Sequence, residues 1–194
     1  GRNAPTVINR LFSADQFWDG RAADLEAQAL GPVQNPIEMG NTLEGMISNL
    51  KGIQAYAPIF KEAFGSEGIT ADRVAQAVAS YERTVLSGNA PFDRYQAGDK
   101  TAMSEAAARG MALFNDPQRA NCVTCHAGFN FTDESYHNLG VGMDRPKPDL
   151  GRFEVTKAEV DKGAFKTPTL RQIAASGPYM HDGSETTLRQ VVEF

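Results

Sequence analysis

Apolar residues recur at helical spacing in several separate stretches of the chain. Between Thr70 and Leu86, Val74, Ala77, Val78, Tyr81 and Val85 fall on one face, which predicts an amphipathic helix. Thr70 is placed to cap its N-terminus, Asp72 puts a negative charge in the first turn, and Ser87-Gly88-Asn89-Ala90-Pro91 ends it. A second helix is predicted over Ser104–Phe114, with Ala107, Gly110, Met111 and Phe114 on one stripe and Gly110 free to admit a crossing helix. Residues 42–64 read as two short helices broken at Gly52 and Pro58. Thr187 with Gln190 forms a capping box for a last helix running to Phe194.

The remainder is irregular. Residues 1–40 are rich in Gly and Pro, with helix expected only in short pieces such as Ala22–Leu30. Pro91–Lys100 reads as a connector. Residues 127–163 hold many Gly, Asp, Lys and Pro and little periodicity, so a long loop is expected there. Phe165–Arg171 leads into a short helix. The class predicted is all-α, with long irregular loops, divided into residues 1–95 and 96–194.

Composition narrows the function. The 194 residues are 41% hydrophobic and 22% charged, an ordinary globular balance. A net charge of −5 without a basic stripe argues against a nucleic-acid partner. No apolar run reaches the length of a membrane span. The chain opens on Gly1-Arg2-Asn3 and stops at Phe194 inside an apolar-periodic stretch, so a fragment of a longer mature protein is expected.

The chemistry concentrates in Cys122-Val123-Thr124-Cys125-His126. This is C-x-x-C-H, the attachment signature of a c-type haem. Two thiols one turn apart can each add to a vinyl group on the same porphyrin edge, and the following imidazole can ligate the iron. A thioredoxin-like redox pair shares C-x-x-C but sits in a βαβ pattern absent here. A zinc site would need Cys122, Cys125 and two of His126, His137 and His181. The histidine directly after the second cysteine, and the lack of a second cysteine pair, favour haem. Covalent attachment of this kind is made outside the bacterial cytoplasm, so a periplasmic location is expected.

Several segments, in order, resemble the bacterial di-haem cytochrome c peroxidases. They are Arg2-Asn3-Ala4-Pro5-Thr6, Gln16-Phe17-Trp18-Asp19-Gly20-Arg21, Gly31-Pro32-Val33-Gln34-Asn35-Pro36-Ile37-Glu38-Met39, the haem motif, Gly151-Arg152-Phe153, Thr167-Pro168-Thr169-Leu170-Arg171 and Pro178-Tyr179-Met180-His181-Asp182-Gly183. The resemblance implies two cytochrome c-like domains. Residues 1–95 would be part of the N-terminal peroxidatic domain, and residues 96–194 a truncated C-terminal electron-transfer domain. The first haem motif would lie upstream of Gly1, so the fragment alone is expected to be inactive. The sixth ligand of the second haem would lie just after Phe194, with Met180 a less favoured substitute.

The resemblance also assigns roles. Glu38 would be the distal carboxylate that takes and returns the peroxide proton. Gln28 would hydrogen-bond the peroxide, and Phe17 and Met39 would wall the pocket. Trp18 would lie between the haems and assist electron transfer. Asn3, through its side-chain oxygen, and Ser176 and Pro178, through their carbonyls, would bind calcium. Arg171 would pair with a haem propionate. His181 would be structural, near the C-terminal haem, and His137 an exposed loop residue.

The implied activity is reduction of hydrogen peroxide to water, with electrons from a small cytochrome c or cupredoxin. A homodimer is an allowed assembly. The rivals are a related di-haem maturase that oxidises tryptophans of a partner protein, and a plain single-haem electron carrier.

Overall fold

The computed structural model describes all 194 residues. Eight helices follow in order: α1 (Leu25–Gln34), α2 (Leu43–Lys51), α3 (Tyr56–Phe64), α4 (Ala71–Glu82), α5 (Pro91–Gln96), α6 (Glu105–Asn115), α7 (Phe153–Thr156) and α8 (Leu188–Glu193). The expected helical class holds, with one addition. Two short strands, β1 (Tyr136–His137) and β2 (Phe165–Lys166), pair antiparallel, with Tyr136 opposite Lys166 and His137 opposite Phe165.

Side-chain caps define the helix starts. Asp24, Thr42, Thr70 and Ser104 each accept from the backbone N–H three residues on. The Thr187–Gln190 box forms as read: the Gln190 N–H donates to Thr187 Oγ1 at 3.2 Å, and the Thr187 N–H donates to Gln190 Oε1 at 2.9 Å. Gly52 ends α2 as expected, but Pro58 does not break α3. It occupies the first turn, where its missing N–H has no intrahelical acceptor. The helix expected over Ala22–Leu30 instead runs Leu25–Gln34 with Pro32 inside it. The returning loop satisfies the α1 end, because the N–H groups of Met39 and Asn41 donate to the carbonyls of Pro32 and Val33.

The main helix contact is α1 on α4. It buries Leu25 and Val33 against Ala75 and Ala79, and the bidentate pair Arg83–Glu26 locks it at 2.7 and 2.8 Å. This corrects the predicted face of α4. Val78 and Tyr81 remain 40% and 70% exposed, because two alanines one turn apart let α1 approach that side closely. The helix also stops at Glu82, four residues before Leu86. The Pro91–Lys100 connector contains α5, whose Asp93 accepts the N–H of Ala90 at 2.7 Å. No helix crosses at Gly110; a side chain there would meet open space, and α6 buries none of its residues.

An N-terminal arm, residues 2–22, lies across residues 130–182. Arg2 forks onto Asp149 at 2.7 and 2.9 Å and also pairs with Asp19. The Asn3 N–H donates to the His181 carbonyl at 2.7 Å. Lys166, only 3% exposed at its side chain, bonds the Asp15 carboxylate, the Asp15 carbonyl at 2.9 Å and Glu134 at 3.1 Å. Tyr136 donates to the same Asp15 carboxylate at 2.7 Å. Glycine suits position 20 at this crossing: φ is +67°, and an added Cβ would crowd the Tyr136 hydroxyl.

Candidate haem-attachment site

Cys122–Thr124 form one 3-10 turn, entered through left-handed Asn121 (φ 50°) and closed by N–H bonds from Cys125 and His126 to the Cys122 carbonyl. The two thiols thus stand at the start and the end of a single turn. Both are unpaired and half-buried. Burial, and then the nearby Asp133 carboxylate, push the Cys125 thiol above its ordinary value.

The His126 ring bonds the Phe131 carbonyl through Nδ1 at 2.9 Å. A carbonyl only accepts, so Nδ1 carries the proton and Nε2 keeps its lone pair for a metal. Two unpaired thiols on one turn, followed by an imidazole with Nε2 free, fit covalent haem. The zinc alternative is not assembled. The ligand cluster that does form is Cys125, Asp133 and His137, with donor atoms within 4.8 Å of one another, and it omits Cys122. No parallel sheet is present for a thioredoxin-like pair.

His137 is not a free loop histidine: its Nε2 bonds Asp133 at 2.8 Å, and β1 holds it. His181 is buried and stacks on Phe165, with ring centroids 3.5 Å apart. Its pKa is lowered, chiefly by burial. Arg171 does not wait for a propionate. A protein carboxylate, Asp93, takes its fork at 2.6 and 2.9 Å.

Trp18 donates from Nε1 to the Asn3 carbonyl at 2.8 Å and accepts the Lys166 N–H at 2.9 Å. It therefore joins the N-terminal arm to β2, whose partner β1 carries His137 beside Cys125. Phe17 and Gln28 line one small cleft with Leu25 and Glu82. Glu38 stands on the exposed turn after α1, where it accepts from Asn35 Nδ2 at 3.2 Å. Met39 beside it is 63% exposed. Asn3 and Pro178 meet directly, Nδ2 donating to the Pro178 carbonyl at 2.6 Å. With the amide turned over, two oxygens would face each other there, an arrangement suited to a hard cation. Ser176 lies two residues before Pro178, at the end of the 3-10 turn Ile173–Ala175.

Sequence reasoning did not find the buried Lys166–Asp15–Glu134 cluster or the Arg171–Asp93 pair. Their members lie 151, 32 and 78 residues apart. The one local hint was a lysine between apolar and β-branched neighbours in Phe165-Lys166-Thr167.

A family model described as di-haem cytochrome c peroxidase matches residues 1–101. The chain belongs to the di-haem cytochrome c peroxidase family. Membership makes haem c the implied cofactor. The methylamine utilization protein MauG of Methylophilus methylotrophus is 46% identical over 194 residues, covering 99% of this chain and 57% of that protein. The cytochrome c551 peroxidase of Nitrosomonas europaea is 42% identical over 193 residues, covering 98% and 57%. The crystal structure of a MauG-like protein associated with microbial copper homeostasis superposes with a TM-score of 0.87 at 30% identity, covering 99% of this chain and 61% of that one. The chain thus spans a little over half the length of the curated relatives it matches. No helix is long and apolar enough to cross a membrane.

Proposed function

We propose that the protein containing these residues is a periplasmic di-haem peroxidase that reduces hydrogen peroxide to water. Its electrons would come from a small cytochrome c or cupredoxin. The observation that carries the reading is the turn at Cys122–His126, where two free thiols and an Nδ1-anchored imidazole present the donor set of a c-type haem. Family membership extends that site to a two-haem protein. Haem, when bound, supplies one-electron redox chemistry at iron.

In this reading residues 96–194 form the electron-entry domain, with thioethers at Cys122 and Cys125 and His126 as iron ligand. Residues 1–95 contribute to the peroxidatic domain. Glu38 takes a proton from the bound peroxide and returns it to the leaving oxygen. It stands exposed on the turn after α1, where Asn35 Nδ2 donates to it. Gln28 would donate from its amide to the peroxide, and Phe17 and Met39 would exclude water. Trp18 serves as the contact between domains, supported by its bonds to Asn3 and Lys166. Calcium would be held by Asn3, Ser176 and Pro178, of which the first and last already touch.

The test is Glu38→Gln in the full-length protein. Peroxide turnover with a reduced donor should fall by about 10²–10⁴, the range for loss of a general acid–base group. Haem content should stay unchanged, and normal turnover refutes the assignment. A second reading, the maturase that oxidises tryptophans of a partner protein, stands beside this one. Relatives named for methylamine utilization, at 46% and 43% identity, are as similar as those named peroxidase. A tyrosine as sixth ligand of the second haem would favour the maturase, and a methionine the peroxidase. The single-haem carrier finds no support in a di-haem family.

A further inference from the structure

We propose that Arg171, clamped by Asp93, is a positioning residue that fixes the hydrogen bond to His126 Nδ1 and so holds down the reduction potential of the haem bound there. The inference rests on the haem reading of Cys122–His126 and adds a residue that the reading does not contain.

The geometry runs through three consecutive residues. His126 donates from Nδ1 to the Phe131 carbonyl at 2.9 Å. Phe131 holds a left-handed backbone, φ 52°, which a bulky aromatic residue does not adopt unless its surroundings impose it. Those surroundings are visible at every residue of the tripeptide. The Phe129 carbonyl accepts from Arg171 Nε at 2.7 Å and also from the terminal guanidinium nitrogen. The Asn130 carbonyl accepts from the Thr169 hydroxyl at 2.7 Å. The Phe131 ring lies 4.9 Å under the Arg171 guanidinium and packs edge-on to Phe92 at 5.0 Å.

Arg171 is itself buried and fully engaged. It is 7% exposed, and its two terminal nitrogens fork onto Asp93 at 2.6 and 2.9 Å. Asp93 and Phe92 are neighbours on α5, so one short helix grips the loop at two points. The grip holds the Phe129 carbonyl and the Phe131 ring, and so sets the backbone that carries the Phe131 carbonyl bonded by His126 Nδ1.

The direction of the effect follows from the bond. An Nδ1–H given to a well-placed carbonyl makes the imidazole more basic at Nε2, which favours the ferric iron and lowers the potential. A loosened loop misaligns the carbonyl, and the potential rises. Lysine keeps the charge at 171 but cannot make the fork and the Phe129 bond together.

The experiment uses the complete haem-loaded protein. Haem attachment is checked by pyridine haemochrome, and midpoint potentials are measured by spectroelectrochemistry. Arg171→Lys should raise one of the two one-electron waves by about 59 mV, a tenfold shift in the oxidised-to-reduced ratio. Asp93→Asn, which keeps the Arg171–Phe129 contact, should move the same wave upward by less. Glu26→Gln breaks a comparable fork, the one to Arg83, on the α1–α4 side, and should leave both waves in place. Both potentials unmoved in Arg171→Lys with haem attached overturns the inference alone. If Arg171→Lys fails to hold haem, Asp93→Asn decides, and unmoved waves there overturn it equally. Absence of covalent haem from the unmutated protein overturns the underlying reading instead.

Discussion

Asp15 and Lys166 form an unequal pair, and the inequality predicts unequal mutational costs. The Lys166 side chain is 3% exposed, whereas those of Asp15 and Glu134 are 23% and 24% exposed. Burial works to raise the Asp15 pKa, but bonds from Lys166 and Tyr136 outweigh it and hold the carboxyl below its ordinary value. Asp15→Asn leaves the buried ammonium with Glu134 as its sole charged partner. Stranding a buried charge costs about 3–5 kcal/mol, and the surviving Glu134 bond places this case near the lower end, about 3 kcal/mol. Lys166→Met leaves two carboxylates that water can reach, and Asp15 keeps its Tyr136 bond and Arg152 at 3.9 Å. That cost should be about 1 kcal/mol, partly offset by the apolar replacement. Urea titration of the haem-loaded protein separates the two, provided the slope is unchanged and only the midpoint moves. The double variant should cost less than the sum of the singles, since both remove one contact. A larger loss in Lys166→Met than in Asp15→Asn would refute the reasoning.

Two further effects can be measured on the same protein. The Arg2 guanidinium, working against partial burial and helped by the Gly151 N–H, lowers the Asp149 carboxyl to about 2. A folded-state value below the unfolded one gives stabilisation that is full above the unfolded pKa of about 4 and is lost as pH falls through about 2. The whole shift would correspond to about 2.4 kcal/mol, and solvent screening at a 35% exposed side chain reduces it to about 1 kcal/mol. Asp149→Asn should flatten the acid limb of stability by that amount; an unchanged limb in urea midpoints across this window counts against it. Asn9 is 1% exposed in a left-handed conformation, φ 58°; it accepts from the Ser87 N–H and donates to the Ser87 carbonyl and Asn130 Oδ1. Asn9→Ala should cost about 3 kcal/mol, from unpaired buried groups and backbone strain, and an unshifted Tm would contradict that.

The local features were legible in the sequence because local chemistry determines them. The C-x-x-C-H turn needs five residues, and the caps at Thr70 and Thr187 need four. The buried face of α4 was not legible: alanines at 75 and 79 carry a weak apolar signal, yet their size is what lets α1 approach. A fork at Arg171 is legible, but its acceptor comes from α5, in a segment that reads as a connector. Lys166 had no readable partner, since a lysine two residues before a proline is ordinarily taken as solvated. The resemblance named Glu38, Gln28, Phe17 and Met39 together. The structure puts Phe17 and Gln28 in one cleft and Glu38 and Met39 on the neighbouring turn.

The arm of residues 2–22 bears on how such a protein can be recombined. Arg2 and Asp15 sit before the α5 segment, while their counterparts Asp149, Arg152 and Lys166 follow it. A chimera joined within Pro91–Lys100 would draw these charges from two parents. Unless both parents share the same five side chains, each half would present an ion with no mate, and the graft would fail at that seam even if each haem pocket were intact.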